Sequence, residues 1–313
     1  VKGFFLGMAV SFIIPSYGAL PLARECLRTL QVTLPPGLDH EIILVDDCSP
    51  DDTREWLATL PLPCRPLLNE RNLGFAGACN RGAAIARGDL LFFLNSDLKF
   101  LRGWFQPMHA LLRRSEAGLV GNVQLNARTG SIDHAGVFFD HKGKPAHETE
   151  VPPWERLRGF RTAPAVTGAC FAIAADLWRQ LGAFDEGFRN GGEDIDLALK
   201  ARAAGRTNYV ALRSVVRHHI SASFGRKLRD EQNSCRLARR WRAEIATLAL
   251  PAWCLHALSL RCDGARDPDD WQFSAALLAQ LLGFARTPPT RARHGIRAAL
   301  DMEEARWREL GLL

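Results

Sequence analysis

Apolar runs one strand long alternate with stretches of helical spacing through the first hundred residues. AVSFIIP, residues 9–15, is almost continuously apolar and predicts a buried strand. PLARECLRTL then sets Leu22, Cys26, Leu27 and Leu30 on one helical face. EIILVDD predicts the next strand, with Ser49 or Asp51 capping a helix over 53–60. GFAGACNRGAAIARG predicts a helix of small residues that stops at Gly88. In LLFFLNSD an apolar strand, 90–94, halts at Asn95-Ser96-Asp97, where the carboxylate needs a turn, a helix cap or a metal ion for a partner. This alternation predicts right-handed crossovers and a parallel sheet with helices on both faces.

After a predicted helix over 104–114 the pattern changes. GLVGNVQL and SIDHAGVFFD read as strands joined by a turn at Arg128-Thr129-Gly130. Residues 140–164, rich in Pro, Gly, Lys and His, read as a long excursion, a feature that often serves as a functional lid. A strand (AVTGACFAIA), a helix (DLWRQLG), a loop (AFDEGFRNGG) and a helix (EDIDLALKARAAG) follow, then strands TNYVAL and SVVRHH. From Arg226 the chain is helical and Arg-rich. The expected organisation is an α/β domain over 8–225 and a helical region over 226–313 packed on it, without repeats or low-complexity segments.

Composition narrows this little. The chain has 313 residues, 47% hydrophobic and 24% charged, which suits one large core or two modest ones. A net charge of +6 and a pI of about 9.0 fit an anionic small molecule, an anionic membrane face or nucleic acid. No nucleic-acid motif or aromatic–basic interleaving supports the last. Eight Cys without a CxxC pair suggest neither a zinc site nor a disulfide framework. Cys26, Cys79 and Cys170 read as small core residues, and a reducing cytoplasm is the expected compartment. VKGFFLGMAV runs into the first strand without a cleavage site; its first seven residues read as an added segment or a linker end, with Met8 as a natural start. IATLALPAWCLHALSL, from Ile245, reads as too short to span a bilayer and contains Pro251 and His256. A buried helix pair is expected there, with an interfacial pair as the alternative.

Ligands of open parallel sheets bind beyond the carboxyl ends of the strands. Polar clusters stand there at Pro15-Ser16-Tyr17, Asp46-Asp47 and Asn95-Ser96-Asp97. GxGxxG and GxxxxGK[ST] are both missing, so a bound nucleotide is expected to be held by side chains and a metal.

These clusters lie within an ordered set of motifs: SFIIPSYG, ILVDDCSPDDT, NERNLGFAGACNRGAAIARGDLLFFLNSD, TGACFAIAADLWRQLGAFDEGF, and GEDIDLALKARAAG with VVRHHISAS. Together they resemble the family 2 glycosyltransferases of GT-A fold, and in particular a rhamnosyltransferase-like branch, over roughly residues 9–224. The resemblance implies a mixed, mainly parallel, Rossmann-like α/β sheet. It implies that Asp97 occupies the D-x-D place and binds Mg²⁺ or Mn²⁺, which offsets charge on the leaving diphosphate. Asn95 stands where Asp is commoner, so it and Ser96 are expected beside the ribose or behind the metal. His218, in preference to His219, is implied as the second metal ligand. Asp194 is implied as the base that takes the acceptor's proton, with Glu193, Thr167 and Gly168 on the acceptor side. Tyr17 is implied to stack on the base and Asp47 to accept from a base imide, with Pro15 and Ser16 beside them. Arg71, or Arg81, would neutralise the diphosphate. Gly191-Gly192 departs from the single bulky residue common in relatives. Asp196 carries only an expected i, i+4 pair with Lys200.

The expected activity is inverting transfer from a UDP-, dTDP- or GDP-sugar to a glycan or lipid-linked acceptor in cell-envelope polysaccharide synthesis. A sugar-1-phosphate nucleotidyltransferase is the rival enzyme, although PSYGALPLAR lacks its glycines. A non-catalytic glycan-binding protein is the rival outside catalysis. The segments EQNSCRLARRWRAEIATLAL and RARHGIRAALDMEEARWREL join basic and apolar residues. Internal packing, a second copy of the chain, or peripheral contact with the inner membrane face would each accommodate them.

Overall fold

The computed structural model describes residues 9–219, 226–262, 268–285 and 287–313. The expectations for residues 1–7 and Met8, and the ISAS end of VVRHHISAS, lie outside the described residues. The chain divides into two compact units, Val1–Val137 with His147–Arg226, and Phe138–Ala146 with Lys227–Leu313. The boundary near 226 is where the sequence changes character. Phe138–Ala146, which includes the first seven residues of the excursion, however, belongs with the helices rather than with the sheet.

In the first unit, β1 (Val10–Ser16), α1 (Leu20–Thr33), β2 (His40–Asp46), α2 (Thr53–Leu57), β3 (Cys64–Leu68), α3 (Gly74–Ala84) and β4 (Leu90–Leu94) build the expected alternation. Then come β5 (Leu98–Phe100), α4 (Phe105–Leu112), β6 (Ala117–Asn126) and β7 (Ile132–His134). A hairpin of β8 (Val137–Phe139) and β9 (Pro145–His147) carries the chain into the second unit and back. The rest of the first unit is α5 (Pro153–Arg158), β10 (Phe160–Thr162), β11 (Cys170–Ala174), α6 (Ala175–Gln180), α7 (Glu193–Ala203) and β12 (Thr207–His218).

The sheet order is β10-β12-β6-β11-β4-β1-β2-β3, with β5 also on β12 and β7 on β6. Strands β4, β1, β2 and β3 are parallel, as are β6 and β12, whereas β11 runs antiparallel between β4 and β6. The sheet is therefore mixed, and β4 lies inside it. That position explains the unbroken LLFFL run, because a central strand is buried on both faces. Phe92 packs with Phe12 and Phe105, at 5.3 Å each, on one face. Phe93 stacks on Phe171 at 4.8 Å and lies 4.4 Å from Trp178 on the other.

Several local expectations shift. The small-residue helix ends at Ala84, not Gly88. Arg87 N–H donates to Glu41 and Gly88 N–H to Ser11, so 85–88 turn back toward the sheet. The small residues serve close packing: a Cβ on Gly82 would lie 2.6 Å from Ile13 Cγ2. SIDHAGVFFD is two strands broken at Gly136 (φ +123), and TNYVAL with SVVRHH is one strand with an irregularity after Ala211. β3 escapes the sequence pattern because it is an edge strand with alternating exposure and tolerates Pro66. The excursion is no structureless lid: it contains β9, α5 and β10, and β10 pairs with β12.

The second unit holds α8 (Arg226–Cys262), which breaks at Trp241 (φ −118°, ψ 23°) and contains Pro251, followed by α9 (Pro268–Leu281) and α10 (Thr290–Glu309). Several of its basic residues pair within the unit. Arg242 pairs with Glu304 at 3.1 Å and with Asp301. Arg306 pairs with Glu303 at 2.9 Å and with Glu231. Lys144 from the hairpin tip reaches Glu231 and Glu303 at 3.2 Å each. Residues 230–260 are long and apolar enough to cross a membrane by length and composition, and only 22% of their most apolar window is buried. The expected buried helix pair is instead one helix through Pro251, buried at Ile245, Ala249, Leu250 and Cys254 and exposed at Leu255 and Leu260.

Candidate active site

The carboxyl edge of the parallel strands is built from short-range contacts. Ser16 and Asp46 are register partners across β1 and β2. Tyr17 follows β1 and is 59% exposed at the carboxyl edge of the sheet. Asp51 accepts from Leu20 N–H at 3.1 Å and Thr53 N–H at 3.2 Å, and so ties down the starts of both α1 and α2. Asp47 is buried. Its Oδ1 accepts from Asn69 Nδ2 at 2.7 Å and Leu73 N–H at 2.8 Å, and its Oδ2 from Gly74 N–H at 2.9 Å. Asp47 therefore holds the N-terminus of α3. Asp46, the first of the pair, contributes more than the sequence suggests. Its Oδ2 and Ser16 Oγ are buried without hydrogen-bond partners, although Arg54 Nε stands 3.5 Å from that Oδ2. Arg71 lies exposed before α3, and Arg81 donates to Asn69.

Asn95-Ser96-Asp97 is a turn, closed by Leu98 N–H on Asn95 C=O at 3.3 Å, and it is also more than a turn. It leads into β5, whose Leu98 pairs antiparallel with His218 of β12. This pairing sets Asp97 Oδ1 3.3 Å from His218 Nε2. Asn95 Oδ1 is buried and lacks a hydrogen-bond partner. The turn and metal readings of this tripeptide are thus compatible.

The sequence reading missed a second carboxylate. Gln124 pairs with His134 and the next residue, Leu125, with Ile132, so Asp133 is the extra residue of a bulge in β7. Bulges re-aim side chains, and Asp133 Oδ2 lies 3.9 Å from His218 Nδ1. His134, also missed, is fully buried. Its Nε2 faces Gly136 N–H at 3.2 Å and Thr167 N–H at 3.4 Å, an acceptor role that belongs to the neutral ring. Burial, with His147 and His218 nearby, holds its pKa well below the usual histidine range. His147 of β9 meets it edge-on at 4.9 Å. No motif distinguished these two histidines, because strand pairing alone brings them here.

Asp194 sits in the first turn of α7. Its Oδ2 accepts from Gly168 N–H at 2.6 Å and its Oδ1 from Ile195 N–H at 2.8 Å. Burial raises its pKa above the ordinary aspartate value, against the pull of these hydrogen bonds and of His147. A Cβ on Gly168 would stand 3.1 Å from Phe75 and 3.4 Å from Asp194, so glycine lets the loop close on the carboxylate. Thr167 and Gly168 therefore belong with Asp194, as expected of neighbours. Glu193, buried at 4% exposure, accepts from Gly191 N–H at 2.8 Å. Gly192, at φ +93, enters α7 through a conformation that disfavours the bulky residue of relatives. Asp196 makes the expected pair with Lys200 at 3.0 Å.

Asp97 and His218 offer one oxygen and one nitrogen side by side, and no group of three possible ligands occurs among the described residues. That suits an ion that keeps water and takes phosphate oxygens, as Mg²⁺ does. His218 turns its second ring nitrogen toward Asp133, at 3.9 Å, which is beyond hydrogen-bond distance.

Comparison with known proteins agrees with this architecture. The chain is 30% identical over 280 residues to the uncharacterized protein y4gI of Sinorhizobium fredii, across 79% of this chain and 31% of that protein. It is 31% identical over 156 residues to the O-antigen biosynthesis protein RfbC of Myxococcus xanthus, across 46% of this chain and 12% of that one. The chain thus spans less than a third of either relative. A structure of GalNAc-T7 with UDP, GalNAc and Mn²⁺ superposes with a TM-score of 0.63 at 20% identity, covering 86% of this chain and 54% of the other. The mannosyltransferase PcManGT of Pyrobaculum calidifontis, with GDP-Man and Mn²⁺, gives 0.58 at 20% identity over 96% and 87%. Both likenesses concern the GT-A fold. The family model Glycosyl transferase family 2 matches residues 11–174, which carry the sheet from β1 through β11 and the Asp97 turn. With more than half of its length matched, the chain belongs to glycosyl transferase family 2.

Proposed function

We propose that this chain is a metal-dependent, inverting glycosyltransferase that moves a sugar from a nucleotide donor to a hydroxyl of a glycan or lipid-linked acceptor. The observation that carries the reading is the meeting of Asp97 with His218 in one site with Asp194. His134 links the two groups, since it lies near His218 and also receives the N–H next to Gly168.

The exposed ring of Tyr17 stacks on the base, with Pro15, Ser16, Asp46 and Asp47 framing the nucleoside. Asn95 and Ser96 lie toward the ribose, and Arg71 serves the diphosphate. Asp97 and His218 would hold Mg²⁺ or Mn²⁺, which would supply positive charge to the leaving diphosphate. Asp194 accepts the acceptor hydroxyl's proton while that oxygen bonds to the anomeric carbon. The bond from this carbon to the diphosphate breaks, and the electron pair leaves with the diphosphate. Attack opposite the leaving group inverts the anomeric centre. The raised Asp194 pKa strengthens it as a base. The Mn²⁺ complexes of GalNAc-T7 and PcManGT and the likeness to RfbC support the metal and a polysaccharide pathway. Seven free thiols among the described residues support a cytoplasmic setting.

The test is donor hydrolysis across UDP-, dTDP- and GDP-sugars, with and without Mn²⁺. One donor is expected to be cleaved only with the metal. Cleavage of none, with sugar binding retained, would favour the glycan-binding alternative.

A further inference from the structure

We propose that His134 is a positioning residue of the transfer site: its Nε2 holds the Thr167-Gly168 corner so that the Gly168 N–H points at Asp194. The role rests on Asp194 as the base, and no sequence motif marks it. Strand β7 ends at His134, whose ring is fully buried. Two residues on, Gly136 (φ +123) turns the chain so that its own N–H meets Nε2 at 3.2 Å. Any side chain there would be strained by that φ, and its Cβ would lie 3.3 Å from both Ala163 and Val210. Val137 N–H then donates to Ala165 C=O at 3.0 Å, which ties the segment before Thr167 to the same turn. Thr167 N–H meets Nε2 at 3.4 Å, and the next N–H, of Gly168, donates to Asp194 Oδ2 at 2.6 Å. The His134 ring thus stands one residue from the hydrogen bond that fixes the carboxylate.

A ring nitrogen that accepts from N–H groups carries no proton, so the neutral ring bears its proton on Nδ1. That buried Nδ1 has no hydrogen-bond partner among the described residues. A buried donor without a partner costs stability, and an apolar side chain would fill the space without that cost. Packing alone gives no reason for a histidine here; an acceptor at Nε2 does. His147, which meets the His134 ring edge-on at 4.9 Å and also acts on Asp194, stays in place in the variants below.

The first test is ¹⁵N NMR of the histidine rings in the parent chain. His134 is expected as the neutral Nδ1–H tautomer, and a proton on Nε2 at neutral pH overturns the proposal. Because it uses the parent, this test decides even where a variant does not fold. The second compares His134→Leu, which removes the acceptor, with His134→Gln, whose side-chain oxygen can replace it. In the leucine variant the Asp194 carboxyl titration, followed by ¹³C NMR, is expected to move upward, since the Gly168 N–H bond that lowers it is lost. Its kcat should fall about tenfold or more with the donor KM unchanged, and the glutamine variant should recover both. An unmoved titration in a folded leucine variant, or an equal loss in the glutamine variant, overturns the role. The titration needs no substrate: a parent that transfers no sugar but shows the expected shift supports the positioning role while removing the transferase reading.

Discussion

The two halves of the site are made in different ways. On the nucleotide side, Ser16, Asp46, Asp47 and Asp51 sit on adjacent parallel strands and their turns. The carboxylates of Asp47 and Asp51 hold helix starts, Asp47 taking hydrogen bonds from Asn69, Leu73 and Gly74. On the proposed catalytic side, Asp97, Asp133, His134, His147, Thr167, Asp194 and His218 come from separate strands and loops, brought together only by strand pairing and loop closure. In one half Asp47 and Asp51 use their charges to build the fold. The other uses the fold to hold charges ready for a ligand. Mutations should therefore separate into those that cost activity and those that cost stability.

The largest effect is expected from Asp97→Ala. Mn²⁺-dependent binding of the nucleoside diphosphate should vanish in calorimetry, while thermal unfolding stays cooperative. Unchanged binding would return Asn95-Ser96-Asp97 to a turn without further role.

Asp194→Asn is next. Transfer should fall about 10²-fold or more with donor binding near normal, and retention of most activity would move the base elsewhere. The same residue predicts a pH effect. Its folded pKa is raised above the ordinary 3.8, so its stability contribution is full below that value and is lost as the pH rises through the raised one. The Asn variant should gain stability relative to the parent across that window. The parent's kcat/KM should show an acid limb above the usual carboxylate range. A stability difference independent of pH would contradict the raised value.

Asp47→Ala sharpens the contrast from the other side. Removing a buried acceptor that holds the α3 start should destabilise by about 1–3 kcal/mol, with a lower Tm. Exposed Tyr17→Ala should instead leave Tm within about 1 °C, since surface changes away from such features are nearly neutral, and raise the donor KM. If Asp47→Ala unfolds no earlier than Tyr17→Ala, the division between the halves fails.

The sequence alone determined the alternating architecture. Buried strands must be continuously apolar, and the helix between β3 and β4 must present small residues to a sheet that passes close beneath it. It also determined the chemistry at each strand end, because Asp47, Asp97 and Asp194 stand at chain positions where only a turn, a cap or a ligand satisfies them. LLFFL was legible for that reason, and the stop after it raised the right question. The edge strand β3, the excursion strands and the two site histidines were not legible, since nothing local distinguishes an exposed His147 or a buried His134. Only tertiary structure decided that β5 folds back on β12 to place Asp97 against His218, that a bulge turns Asp133 toward the same ring, and that the Gly168 loop closes on Asp194. It likewise decided that Trp271 and Leu278 of α9 stand exposed while Phe273 and Leu277 are buried. The physical reason is range: propensity and periodicity act between near neighbours in sequence, whereas strand pairing and ion pairing join residues up to some 120 positions apart, as Asp97 and His218 are.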